Sequence, residues 1–409
     1  MKKIIDLIKE KTRPDESVKK EIENFTRKIN LLLEKNKVKA TCVSGGSIAK
    51  GTFIKDDFDA DLFVRFDYKT YKDLDLSNIL EKVISKLKPD RVHGSRDYFQ
   101  INDKKTDILF EIVPVLAIKD YKQAANVTDM SPLHVGYVKK KLKKGQADEI
   151  RVAKMFCKSA KVYGAESYIK GFSGHILDLL IIYYKNFEQL LMQASIWGDK
   201  VVIDIEKHLK DPIAELEESK TYSPLVIVDP MQPDRNAAAA LSKEKFEDFK
   251  KNAKKFLQKP SEEFFKVKKL TKKDLKMKED EELFYLEVKP LKGKRDVIGS
   301  KIMKAYEHMK AEIKKNEFKF KSGWEFDGIG KIYFIVKKEQ LPKEIIFKGP
   351  PTKMKDGVKS FKKKHKKTFA KNNIMFAEEK RKYRHVEKLI KDLIKDSYVK
   401  ERVKSISLK

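Results

Sequence analysis

Between residues 15 and 35 the apolar side chains Val18, Ile22, Phe25, Ile29 and Leu32 recur at intervals of three and four, which places them on one stripe of a helix. Pro14-Asp15 supplies its start. The pattern then shortens to alternation, predicting strands near 39–43, 58–66 and 107–117 around a helix from about 77 to 87, a small mixed sheet with helices. Lys139 to Lys144, ending at Gly145, reads as a charged hinge. Helical spacing returns from Asp148 to Val162, with Ile150, Ala153, Phe156 or Cys157 and Ala160 on one face. The stretch 173–194 is rich in Leu and Ile and predicts another, buried helix. A mostly helical second domain is the consequence.

Beyond Pro260 the strand-like runs 284–289, 318–325, 331–337 and 345–347 enclose a helical stretch, 299–315, with Ile302, Tyr306, Met309 and Ile313 at helical spacing. That β-α-β-β order is shared by many unrelated domains, small RNA-binding sheets among them. Gly349-Pro350-Pro351 breaks the chain before a basic helical tail. The expected fold class is therefore α+β and multidomain, divided at 1–143, 144–260, 261–350 and 351–409.

Charge changes the picture more than size does. The 409 residues carry 92 basic and 62 acidic side chains, a net +30, which calls for a polyanionic partner or a hot, saline habitat. Nucleic acid is the simplest partner. No segment approaches the ~18 uninterrupted apolar residues of a membrane span, and Met1-Lys2-Lys3-Ile4-Ile5 opens no long apolar core. A cytoplasmic protein without a membrane partner is expected, with Cys42 and Cys157 as free buried thiols. Residues 351–409 hold 20 Lys or Arg against 7 Asp or Glu. Phe361, Phe369, Phe376 and Tyr383 recur there, and Lys362-Lys363-Lys364-His365-Lys366-Lys367 can neutralise phosphates along duplex RNA. The competing reading makes the aromatics a core and the lysines its solvated face.

The chemistry lies in residues 45–61, where Gly45-Gly46-Ser47 is followed by Asp59-Ala60-Asp61 and the apolar Leu62-Phe63-Val64. On a strand Asp59 and Asp61 share one face while Ala60, Leu62 and Val64 point into a core. Paired carboxylates of this kind can hold two Mg²⁺ ions, and a two-metal site stabilises both oxygens of an in-line displacement at phosphorus. Glu111, in Asp107-Ile108-Leu109-Phe110-Glu111-Ile112-Val113, is the expected third ligand, with Asp107 as the fallback. Order and spacing are those of a nucleotidyltransferase: a 3′ hydroxyl attacks the α-phosphorus of a nucleoside triphosphate and expels pyrophosphate. His93, near a turn, and His208, His308 and His385, without companions at ligand spacing, are expected to be structural.

Further motifs follow: Thr128-Asp129-Met130-Ser131-Pro132-Leu133-His134, Lys161-Val162-Tyr163-Gly164-Ala165-Glu166, Gly171-Phe172-Ser173-Gly174, and Val228-Asp229-Pro230 with Asp234-Arg235-Asn236. With them the chain resembles the archaeal-type (class I) CCA-adding tRNA nucleotidyltransferases of the DNA polymerase beta superfamily, over residues about 44 to 242. The resemblance implies a nucleotidyltransferase head, a central domain that builds the base pocket, a body, and a tail that meets tRNA. Gly46, Ser47 and Lys50 would meet the triphosphate, and Asp59, Asp61 and Glu111 the metals. His134, Lys154 and Tyr163 would bind phosphate and sugar, and Asp229 and Arg235 the base edge. The partners implied are the acceptor stem and 3′ end of tRNA, CTP and ATP, with a homodimer left open. The family usually has Arg at Lys50, Asp at Glu111 and Thr at Ser131. Three other readings stand beside CCA addition: a poly(A) polymerase or A-adding enzyme, a small-molecule nucleotidyltransferase, and a catalytically silent RNA-binding protein.

Overall fold

The computed structural model describes residues 1–409. The chain forms two compact units, Met1–Lys268 and Lys269–Lys409. In the first, a five-stranded sheet runs in the order β1-β2-β5-β4-β3, from β1 (Ala40–Ser44), β2 (Ala60–Phe66), β3 (Asp90–Val92), β4 (Tyr98–Asp103) and β5 (Ile108–Leu116). All neighbours are antiparallel except β2 and β5. Joining that parallel pair requires a crossover, and the intervening chain holds α4 (Tyr68–Tyr71) and α5 (Leu76–Ile84). The preceding helices are α1 (Lys2–Thr12), α2 (Glu16–Lys35) and α3 (Gly46–Lys50).

Period-two alternation decides what the sheet does. Ala60, Leu62, Val64, Phe110 and Ile112 are fully buried and pack with Ile22, Phe25, Ile29 and Leu33 of α2 and Leu80 and Ile84 of α5. Phe25 stacks on Phe110 with ring centroids 3.8 Å apart. Burying one such ring stabilises the fold by about 2 kcal/mol. With the helices on that face, the alternate residues Asp61 and Glu111 emerge on the other, and in the β2–β5 register they stand directly opposite each other.

The rest of this unit is built on α6 (Ser131–Lys141), α7 (Gln146–Ser159), α8 (Gly174–Tyr184), α9 (Phe187–Ile196), the short α10 (Pro212–Glu215) and α11 (Lys243–Gln258). Phe156 of α7 is their hub, in ring contact with Phe187, Phe249, Phe256 and Phe265. Three expectations need correcting. The single helix over 173–194 is two: Lys185 turns to φ +79° and the Asn186 side chain accepts from Gln189 N, capping a new helix. Lys139–Lys141 are not hinge but the last turn of α6, where cations suit the helix dipole. The helical region also carries a three-stranded sheet of β6 (Val201–Ile203), β7 (Leu225–Asp229) and β8 (Gln232–Asn236), whose irregular β7–β8 pairing holds the Asp229 and Arg235 motif.

In the second unit, the expected β-α-β-β order appears as β9 (Glu281–Lys289), α12 (Arg295–Lys315), β10 (Phe320–Asp327) and β11 (Ile329–Lys337). The strand expected at 345–347 belongs to β12 (Glu344–Pro351), which leaves that sheet to pair with β14 (Ile374–Lys380), itself flanked by β13 (Thr368–Lys371). Residues 351–409 are thus helical only in part, through α13 (Lys355–Lys364), α14 (Val386–Lys395) and α15 (Ser397–Lys400). The last strand, β15 (Ser405–Leu408), closes the larger sheet against β9. Val386, Leu389, Ile390 and Leu393 pack into one core with Met309 and Ile313 of α12. Tyr383 is buried there and donates to Asp392. Phe361 packs where a Cβ on Gly349 would stand 2.7 Å from its ring. Lys362, Lys363, Lys364, Lys366 and Lys367 are exposed.

Deleting residues 351–409 would therefore remove a sheet edge and a core helix together. Charge reversal at Lys362, Lys363 and Lys364 separates binding from folding. The triple Lys→Glu variant, which puts three anions in the last turn of α13, is expected to melt a few degrees below the parent yet stay folded, and to bind tRNA with a shallower salt dependence; an unchanged salt slope, measured by filter binding, would mean that these lysines meet no RNA.

Candidate active site

The turn between β1 and β2 begins with two residues that have no room for a side chain. A Cβ on Gly45 would stand 2.6 Å from the Phe63 ring, and one on Gly46, where φ is +47°, only 1.8 Å from Asp61 Oδ2. Gly45 N donates to Asp61 O over 2.7 Å. The turn is thus moulded onto the carboxylate, and α3 then carries Ser47 and Lys50 before Gly51 reverses the chain at φ +67°.

Asp61, Glu111 and Gln100 lie in one row across β2, β5 and β4, with Gln100 Nε2 donating to Glu111 Oε1 over 2.7 Å. Asp59 stands exposed just before β2. Burial, then the charges of Glu111 and Asp59, push the Asp61 carboxyl up to about 7 against the opposing pull of Lys50 and Lys154. The same three acids, after burial, push Tyr98 up to about 12. Crowded carboxylates with hard oxygen donors fit divalent cations, whose charge relieves the mutual repulsion. Asp107, the fallback ligand, is exposed in the turn before β5 at φ +55°, away from this row.

A buried acid organises the cations. Asp178 of α8 is fully buried and accepts from Lys50 Nζ, while its Oδ1 has no hydrogen-bond partner. From α7, Lys154 Nζ donates to Thr52 O over 2.9 Å and Arg151 to Gly51 O, tying that helix to the chain after α3. Burial draws Lys154 down to about 8, although Asp178 opposes the shift. A Cβ on Gly174 would lie 3.2 Å from the Tyr163 hydroxyl and 3.6 Å from Lys154 Cε, so Tyr163 and Lys154 share this spot. Burial first, and then Asp178, hold Tyr163 above its ordinary range.

Beyond them lies a third group. His134 Nε2 is 2.9 Å from Asp229 Oδ2, and Arg235 Nη1 donates to the same oxygen over 2.5 Å. Burial pushes Asp229 up, but the His134 contact, the Met231 N–H and Arg235 outweigh it and hold the carboxyl well below the usual range. The His175 ring sits 4.6 Å from that of His134; burial, then His134, draw it down to about 3.

The catalytic and nucleotide-binding residues predicted from the sequence all fall in the first unit, in the carboxylate row, the cations around Asp178 and the His134 group, and only the fallback Asp107 stands apart. Sequence reasoning missed Tyr98, Gln100, Asp178 and His175. Alternation about Phe99 carried a signal for the first two. An aspartate inside Ile176-Leu177-Asp178-Leu179-Leu180 was the signal for the third. The other histidines have modest partners: His93 meets Asp97, His208 the Pro230 carbonyl, His308 Asp396, His365 Glu379 and His385 Gln340. Cys42 and Cys157 are free and buried, as expected.

Three family models match in succession: a nucleotidyltransferase domain over residues 5–116, the second domain of tRNA nucleotidyltransferase over 148–266, and the C-terminal domain of CCA-adding enzyme over 289–406. The chain is similar to the CCA-adding enzyme of Methanocaldococcus jannaschii, 32% identical over 85% of this chain and 80% of that one. That of Saccharolobus solfataricus is 32% identical over 75% and 71%. The enzyme of Nanoarchaeum equitans is 43% identical over 49% of this chain, a match spanning about half that protein, 51%. Among solved structures, a cytoplasmic RNA terminal U-transferase aligns with a TM-score of 0.50 at 13% identity, over 66% of this chain and 100% of that one, a likeness of fold. No helix is long and apolar enough to cross a membrane.

Proposed function

We propose, because the chain belongs to the family of CCA-adding enzymes, that it adds C, C and A in turn to the 3′ end of tRNA from CTP and ATP, releasing pyrophosphate. The observation that carries the reading is the row of Asp61 opposite Glu111, with Asp59 beside it and the charges of Lys50 and Lys154 bearing on it. Asp59, Asp61 and Glu111 would hold two Mg²⁺. When bound, the ions favour ionisation of the 3′ hydroxyl and neutralise charge on the triphosphate.

The chain's own groups do the rest. Gly46 lets the backbone approach the phosphates, and Ser47 offers a hydroxyl beside it. Lys50 and Lys154 balance charge on the departing pyrophosphate, and the Tyr163 hydroxyl, kept protonated, donates to phosphate or sugar. Gln100 holds the longer Glu111 arm against the sheet, offsetting the usual Asp. Arg235, fixed by Asp229, keeps further guanidinium donors for a base edge, and His134 closes the same side. In this reading residues 1–143 carry the chemistry, 144–260 the base pocket, 261–350 the body, and the exposed lysines of 351–409 meet tRNA in the cytoplasm.

The test offers labelled CTP or ATP separately, with Mg²⁺, to tRNA transcripts ending before CCA, after C and after CC. C on the first two and A only on the third is the expected result. A on all three would make this an A-adding or poly(A)-type enzyme; no incorporation would leave an RNA-binding protein.

A further inference from the structure

We infer that His134, His175 and Asp229 form a second, chemically distinct cation site, one for a borderline transition-metal ion such as Zn²⁺. One ligand atom from each residue lies within 4.8 Å of the other two. The three come from α6, α8 and β7, elements fixed by the packing of the first unit, so the group is held by the fold and not by a flexible loop. Two imidazoles and one carboxylate suit zinc and its neighbours, whereas the all-oxygen set of Asp59, Asp61 and Glu111 suits magnesium.

Two details favour a site over a packing accident. His175 Nε2 is buried without any hydrogen-bond partner, and an orphaned buried polar atom is destabilising unless something meets it. Asp229, fully buried, is clamped from outside by the Arg235 guanidinium and the Met231 N–H, as outer partners orient a ligating carboxylate. Arg235, bound to the same carboxylate, lowers the affinity by its charge. On binding, the ion takes the place of the hydrogen between His134 Nε2 and Asp229, and the neutral His134 ring carries its proton on Nδ1. Three protein ligands leave a fourth position open. On the proposed function, that position faces the nucleotide pocket, and zinc would inhibit transfer by filling it.

The experiment uses tag-free full-length protein dialysed against ZnCl₂ in excess Mg²⁺, with bound zinc counted by atomic emission and Co²⁺ as a spectroscopic probe. One equivalent of zinc in the parent is expected, retained in Asp61→Asn and lost in both His175→Ala and His134→Ala, with the tetrahedral cobalt absorption lost alongside. Circular dichroism reports folding; should His175→Ala fail to fold, the half-buried His134→Ala decides. Absence of zinc from the parent, or its full retention in the histidine variants, would overturn the site. Protein that binds zinc here yet, stripped of zinc and supplied with Mg²⁺, extends no transcript would sink the proposed activity and leave the site standing.

Discussion

Asp61→Asn is expected to lower nucleotide transfer by about 10³-fold or more, because it removes the central carboxylate of the proposed cation site, while raising the melting temperature of the metal-free protein. The second half follows from the sign of the shift. The folded carboxyl titrates near 7, above its ordinary value, so the folded chain holds the proton more tightly than the unfolded one. Stability contributed by this group is full at acid pH and is lost as pH rises through 7. The rise from 3.8 to about 7 corresponds to a ceiling of about 4 kcal/mol, reduced by whatever burial of the amide costs. Metal-free parent should therefore melt lower at pH 8 than at pH 5, with a flatter profile for Asp61→Asn. Mg²⁺ should raise the parent's melting temperature at pH 8 by binding the folded state alone, and the variant's hardly at all. Equal Mg²⁺ stabilisation of both proteins would place the ion elsewhere.

That experiment addresses the part of the site that alternation made legible. Asp59-Ala60-Asp61 before an apolar run predicted which side chains share a face, and Phe110 and Ile112 around Glu111 predicted the same for the partner strand. What alternation could not supply is the register that sets Asp61 against Glu111, since it depends on a crossover through α4 and α5. The break at Lys185 was invisible for a different reason. Apolar residues on both sides sustain a helical pattern, and only the Asn186 cap divides it. In the tail, lysine-rich helical spacing concealed both the local β13–β14 hairpin, which turns at Asn372-Asn373, and a strand whose partner is remote in sequence, β15 on β9. Non-local pairing leaves little trace in a local window.

Asp178 lies wholly outside that legible part, yet its loss should have the second largest effect. The carboxylate is fully buried, accepts from Lys50 and raises the ammonium pKa of Lys154 against the burial that draws it down to about 8. Asp178→Asn keeps the shape and removes the charge. Breaking a buried pair from one side typically costs about 3–5 kcal/mol, so the variant should unfold at markedly lower denaturant. Its functional signature is more specific. The pH dependence of kcat/KM reports the free enzyme, and an alkaline limb near 8 is expected in the parent as Lys154 loses the proton that gives it charge for the triphosphate. Without the Asp178 charge the Lys154 ammonium gives up that proton more readily, so the limb moves to lower pH and the loss in kcat/KM is larger at pH 8 than at pH 6.5. A uniform loss across that range would mean that Asp178 acts through folding alone, with Lys50 and Lys154 held by other contacts. A limb displaced downward while kcat at saturating CTP changes little would instead identify Asp178 as the group that keeps Lys154 charged and holds Lys50 in place before the nucleotide arrives.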